Sequence, residues 1–133
     1  MPILNVKLCT TPSPETSLRI AAALTDLTVD VLKKKRELTA VVIEYVAPTA
    51  WFIAGAPFAG QPLGTFHLDI KVTEGTNTKD EKAVYVSRAF TAIENVLGPL
   101  APASYVVIHD VRGDSWGYQG RTQECRYVRG NAL

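Results

Sequence analysis

Apolar and polar residues alternate along Leu4-Asn5-Val6-Lys7-Leu8 and again along Leu68-Asp69-Ile70-Lys71-Val72. A period of two is how a strand with one buried face reads. Beyond each strand the period changes. Ile20, Leu24, Leu27 and Val31 recur at i, i+4, i+7 and i+11, and so do Val86, Phe90, Ile93 and Leu97. Each set predicts a helix with four apolar groups on one face. The helix ends carry their own signals. Ser13-Pro14-Glu15 offers an N-cap oxygen, a proline where no N–H is missed, and an acid near the positive end of the dipole. Thr78 and Glu81 have the spacing of a capping box, and Gly98-Pro99 stops the second helix. The first helix runs into Lys33-Lys34-Lys35-Arg36, which reads either as an anion site or as a solvated last turn complementing the dipole.

The two patterns are copies of each other. Residues 41–55, VVIEYVAPTAWFIAG, match residues 106–120, VVIHDVRGDSWGYQG, at a shift of 65. Identical positions include Val41/Val106, Ile43/Ile108, Trp51/Trp116 and Gly55/Gly120. Each half is therefore strand, helix, strand, then a loop holding Trp and Gly. The expected organisation is one domain over 1–133. Repeat one covers about 1–55, a linker 56–64, repeat two about 65–122, and a C-terminal tail 123–133. The linker is too short and too apolar for a free tether. The predicted class is α+β: a tandem β-α-β repeat with a four-stranded core sheet and both helices on one face, the long strands of each unit parallel. The other sheet face is expected to be rich in apolar positions and to be covered by association into an oligomer.

Composition narrows the chemistry. The chain is 47% apolar and 20% charged, with 14 basic and 13 acidic residues and a formal charge of +1. That balance gives no electrostatic case for nucleic acid or a membrane surface. No apolar run approaches the roughly 18 residues of a membrane span. Met1-Pro2-Ile3 does not begin a secretory signal. Cys9 and Cys125 have neither the number for a disulfide framework nor the spacing of a metal site, and no His stands near them in sequence to make a nucleophile. His67 and His109 read as structural. The expectation is a cytoplasmic globular protein with free thiols, no metal and no cofactor.

Two β-α-β units of this length with proline directly after the initiator methionine resemble the tautomerase superfamily in its fused, two-repeat form. This is the group of 4-oxalocrotonate tautomerase, malonate semialdehyde decarboxylase, cis-3-chloroacrylic acid dehalogenase and macrophage migration inhibitory factor. The carriers are Pro2, the strand Ile3 to Leu8, Thr73-Glu74-Gly75 before the second helix, and Asp114-Ser115-Trp116-Gly117-Tyr118-Gln119-Gly120. The resemblance implies a homotrimer with sites between subunits and a small-molecule substrate. It also implies catalysis by Pro2. Once Met1 is removed, Pro2 carries a secondary amine. An α-amino group titrates near 8, and burial lowers that value. A neutral amine can take a proton from carbon beside a carbonyl and return it elsewhere.

The family's usual substrate arginines are absent from Val72-Thr73-Glu74-Gly75-Thr76-Asn77, from Cys9-Thr10-Thr11-Pro12, and from Ala40 and Tyr105. Tyr118 stands where the dehalogenase type has its water-activating acid, which argues against hydration chemistry. Arg112, Arg121 and Lys34 remain as cations for a substrate carboxylate, or as solvated charges. Trp51 and Trp116 either wall an apolar pocket or pack subunits. Tyr118 either hydrogen-bonds an enolate oxygen or caps a loop. The first functional reading is a cofactor-independent keto–enol tautomerase of a small 2-oxo acid or enol. The others are a non-catalytic trimeric binding or scaffold protein, a malonate semialdehyde decarboxylase-like enzyme, and a ferredoxin-like module with the same element order.

Overall fold

The computed structural model describes residues 2–132. The chain runs β1 (Ile3–Cys9), α1 (Pro14–Leu32), β2 (Ala40–Tyr45), β3 (Phe52–Ile53), β4 (Ala56–Pro57), β5 (Thr65–Thr73), α2 (Lys79–Leu97), β6 (Tyr105–Val111), β7 (Gly117–Tyr118), β8 (Arg121–Thr122) and α3 (Gln123–Ala132). Four strands form the main sheet in the order β2-β1-β5-β6. β1 is parallel to β2 and β5 to β6, and the units join where β1 meets β5 antiparallel.

Strand alternation sends one phase of every strand beneath the helices. Leu4, Val6, Leu8, Phe66, Leu68, Ile70 and Val72 are buried there, with Val41, Ile43, Val106 and Ile108 at the flanks. Removing a side chain of this size from water is worth ~1.5–3 kcal/mol each. In α1 the buried face is Ile20, Leu24, Thr28 and Val31. In α2 it is Tyr85, Ala89 and Ile93, while Val86 is 41% exposed. The expected stripe is thus rotated by about one residue. A count of apolar residues misses the reason. Tyr85 buries its ring because its hydroxyl meets Thr28 Oγ1 of α1 at 2.9 Å, and Thr28 in turn donates to the Leu24 carbonyl.

The expected ends are in place. Ser13 Oγ accepts from Thr16 N–H at 3.0 Å, and Thr78 and Glu81 form the reciprocal capping box. Each Trp/Gly loop is a hairpin, β3–β4 and β7–β8, turning on two residues of positive φ: Ala54 and Gly55 (55° and 78°), and Gln119 and Gly120 (57° and 75°). Two consecutive positive φ values are what a type I′ hairpin turn requires. β4 and the buried Phe58 take up residues assigned above to the linker, and the C-terminal tail is the helix α3.

The open sheet face corrects one expectation. It is not predominantly apolar. Across the strands it reads Glu44-Lys7-His67-Tyr105, then Val42-Asn5-Asp69-Val107, then Ala40-Ile3-Lys71-His109. The apolar phase is consumed by the helices, so the polar phase falls here. At its centre the Asp69 carboxylate accepts from His109 Nε2, with His67 Nδ1 at 3.7 Å. Burial opposes ionisation of Asp69, but the His109 hydrogen bond and the charges of His67, His109 and Lys71 outweigh it and hold the carboxyl below its ordinary value.

Tyr85→Phe should cost about 1 kcal/mol, one buried hydroxyl bond, in urea denaturation, with the fold retained. Asp69→Asn should cost about 1 kcal/mol at pH 7. A depressed folded pKa adds stability above the unfolded value, and that stability is lost as pH falls through the folded one. The difference between the two proteins should therefore hold above the ordinary carboxylate value of about 4 and shrink as pH falls below it through the lower folded value, measured as denaturation midpoints across pH.

Candidate functional site

Pro2 is buried where the chain enters the sheet. Its carbonyl accepts from Ala40 N–H at 3.3 Å, and Ile3 lies opposite Lys71, so Pro2 stands beside the last residues of β5. β6 finishes at the same end, with Val111 opposite Thr73. A groove of about 610 Å³ opens here. Its walls are the lysines after α1, the segment Thr73–Thr76 after β5, Gly113, and residues of the β7–β8 hairpin and α3. Pro2 itself is not on the groove's surface.

The internal repeat generates a second groove at the opposite end, about 580 Å³, lined by Cys9–Pro12, Pro48, Phe58 and Leu97 among others. The two correspond residue by residue at shifts of 64 and 65: Cys9-Thr10-Thr11-Pro12 answers Thr73-Glu74-Gly75-Thr76, Pro48 answers Gly113, and Phe58 answers Gln123. Even the tethers repeat. Phe58 N–H donates to the Trp51 carbonyl at 2.8 Å, and Gln123 N–H to the Trp116 carbonyl at 2.9 Å. The chemistry has diverged. No charged side chain lines the second groove. The first has Lys33, Lys34, Lys35 and Arg126 against Glu74 and Glu124. Where the first half has the three lysines, the second has Gly98-Pro99-Leu100. Two such grooves from one duplicated unit leave a single anion-attracting groove, at the end that holds Pro2.

The proposed cations separate on this geometry. Lys34 is half-buried in the groove wall and its Nζ donates to Thr76 Oγ1 at 2.9 Å. Burial pushes its ammonium below the ordinary lysine value, and the carboxylates of Glu81 and Asp110 push back. Arg112 lies outside the groove, exposed, with its fork on both Asp114 oxygens at 3.0 and 3.2 Å. That hydrogen-bonded pairing holds the guanidinium still further above its ordinary value. Arg121 is exposed on β8 and also outside the groove. Tyr118 does line it. Trp51 packs near the other end against Cys9, Phe58 and Ala101. Trp116 is half-buried outside the groove lining, and its buried Nε1 has no acceptor among the described residues. The structure thus brings Lys34 and Tyr118 together at Pro2's end and leaves Arg112, Arg121, Trp51 and Trp116 off the groove.

Sequence reasoning missed α3 and with it Arg126. The available signal was Thr122, whose Oγ1 accepts from Cys125 N–H at 3.0 Å, followed by Glu124 in the first turn. Tyr118 is presented by a hairpin that needs Gly117, because a Cβ there would lie 1.7 Å from the Arg121 carbonyl oxygen. Among the described residues no cluster of His, Cys, Asp and Glu could hold a metal ion. No helix is long and apolar enough to cross a membrane.

The tautomerase enzyme family matches residues 2–60 and 67–124, one match per repeat, and the chain belongs to it. Among solved structures it is similar to a fused 4-OT wild type symmetric trimer, at TM-score 0.83 and 19% identity over 93% of this chain and 98% of that one. A native fused 4-OT matches at TM-score 0.80 and 23% identity, covering 92% and 97%. A macrophage migration inhibitory factor-like protein from Entamoeba histolytica matches at 0.72 and 20%, covering 91% and 97%. No curated protein sequence matches significantly.

Lys34→Met should leave stability within about 0.5 kcal/mol of the parent, or raise it. A lysine whose folded pKa is lowered destabilises the fold wherever it is charged, and the penalty fades as pH rises through the folded value toward the unfolded one. Denaturation at pH 7 reads the effect directly.

Proposed function

We propose that this chain is a cofactor-independent keto–enol tautomerase of a small 2-oxo acid or related enol, with the Pro2 amine as proton carrier. The observation that carries the reading is the burial of Pro2 at the one end of the sheet where the duplicated groove is lined by cations. Membership of the tautomerase family supports it.

The chemistry requires that Met1, which lies outside the described residues, be removed, because an acylated proline nitrogen has no basicity. Pro2 is buried at the start of β1, beside the end of β5. Burial disfavours the charged form of the freed amine. The amine takes a proton from the carbon beside the substrate carbonyl. The C–H electron pair moves into the C–C bond and the carbonyl pair onto oxygen, giving an enolate. Lys34 stabilises that negative charge at the groove wall, and Tyr118 donates to the enolate oxygen. The protonated amine then returns the proton to oxygen or to a second carbon, completing the isomerisation with no net redox change.

Assembly as a homotrimer belongs to the same reading. Fused 4-OT relatives of the same fold form trimers. The mixed charges of the open sheet face suit contact between copies, with Lys7 and Lys71 set against Glu44 and Asp69.

Pro2→Ala should lower kcat/KM for phenylenolpyruvate ketonisation by about 10²–10⁴-fold, the usual worth of a positioned general base. Retention of one extra residue before Pro2 should do the same. The measurement is ultraviolet loss of the enol, on protein whose N-terminus has been defined by mass. A Pro2→Ala protein with full activity refutes the reading and leaves a binding protein of the same fold.

A further inference from the structure

The family's arginines are missing from their expected positions, yet an arginine does reach the groove, from a position in α3 just beyond the segment that matches the family. α3 is tied down by two backbone hydrogen bonds, Gln123 N–H to the Trp116 carbonyl and Glu124 N–H to the Gly113 carbonyl, both at 2.9 Å. One turn further on, Arg126 is half-buried in the groove wall with its guanidinium carbon 3.6 Å from the centroid of the Tyr118 ring. We propose that Arg126, held on Tyr118, is the residue that binds the substrate carboxylate and sets the groove's preference for an anionic over a neutral carbonyl compound. This rests on the tautomerase reading above.

Three observations lead to it. First, the charge of Arg126 is unspent. Its Nη1 donates to Gln119 Oε1, a neutral acceptor, at 3.3 Å, and no carboxylate pairs with it among the described residues. Arg36, Arg112 and Lys82 are each paired with a carboxylate, Asp26, Asp114 and Asp110, and the lysines that share the groove with Arg126 offer point charges without a planar fork. Second, both of its supports are rigid. Tyr118 and Gln119 belong to the hairpin whose turn is locked by two positive φ values and whose strand contact tolerates only glycine at 117. An aromatic face orients a guanidinium without neutralising it, and its remaining N–H groups stay available as a fork for a carboxylate. Third, the uncharged groove supplies the contrast. At the shift of 65, Arg126 corresponds to Gln61, which lines the second groove, and Tyr118 to Ile53. Among the described residues, the stacked pair exists only at the end where Pro2 lies.

The test compares phenylpyruvate with its methyl ester, which keeps the carbonyl and loses the charge. Calorimetric binding and enol–keto kinetics are measured for the parent, Arg126→Gln, Arg126→Lys and Tyr118→Leu, with Arg19→Gln as a surface control and thermal melts to show folding. Arg126→Gln should weaken phenylpyruvate binding and raise KM by about 30-fold or more, one charge-assisted pair, with kcat within threefold and the ester unaffected. Arg126→Lys should recover part of the loss. Tyr118→Leu should shift acid and ester apart in the same direction, and it serves if Arg126→Gln does not fold. Binding by the parent without turnover, lost in Arg126→Gln, sustains the assignment and removes the tautomerase reading. Equal loss for acid and ester, or no loss for either, overturns the role of Arg126 while the parent's turnover keeps the tautomerase reading. A parent that binds neither compound overturns both.

Discussion

The antiparallel seam between β1 and β5 is the contact on which everything else rests. It joins two β-α-β units that could not each bury their apolar phase alone, since a two-stranded piece with one helix has little interior. Leu4, Val6 and Leu8 meet Ile70, Leu68 and Phe66 across that seam, all fully or nearly fully buried. The register is strict because a slip of one residue would exchange this face for the row of Asn5, Lys7, His67 and Asp69. Antiparallel joining also relates the two units by a rotation, so whatever one unit builds at one end of the sheet, the other builds at the far end.

That geometry explains how a duplicated chain comes to hold two grooves, of which one is lined by charged side chains. Each groove combines the helix C-terminus of one unit with the turn after the other unit's first strand and the segment around that other unit's Trp/Gly hairpin, which yields two grooves of nearly equal size. Of the two, only the groove beside Pro2 gathers cations. The other is free to fill with Pro48, Phe58, Leu63 and Leu97, and it has. The half-buried Lys34 fits this view, being held against the cost of its own desolvation.

Much of this was legible in residue order. The period-two and i, i+4, i+7 patterns located β1, β5, α1 and α2, and the caps at Ser13, Thr78 and Gly98 set their ends, because those signals depend on neighbours within four residues. The repeat at a shift of 65 announced the tandem architecture. Less legible was which apolar residue of α2 faces inward. Tyr85 displaced Val86 because its hydroxyl had a partner on α1, 57 positions away. The composition of the open sheet face was misjudged for a related reason: the same alternation that buries Leu and Ile delivers Lys, His and Asp to the opposite side.

Local sequence determined the elements, their caps and their order, and Pro2 as the chemical candidate, since each depends on a residue's own backbone and near neighbours. The fold decided which charges meet. Lys34, Tyr118 and Arg126 are far apart along the chain and converge because the ends of α1 and β5 and the docked α3 share one corner of the sheet. Arg112 lies outside the groove, with its fork taken up by the carboxylate of Asp114, two residues away. Convergence of distant groups follows from strand register and helix docking, and no pattern within a short window encodes it.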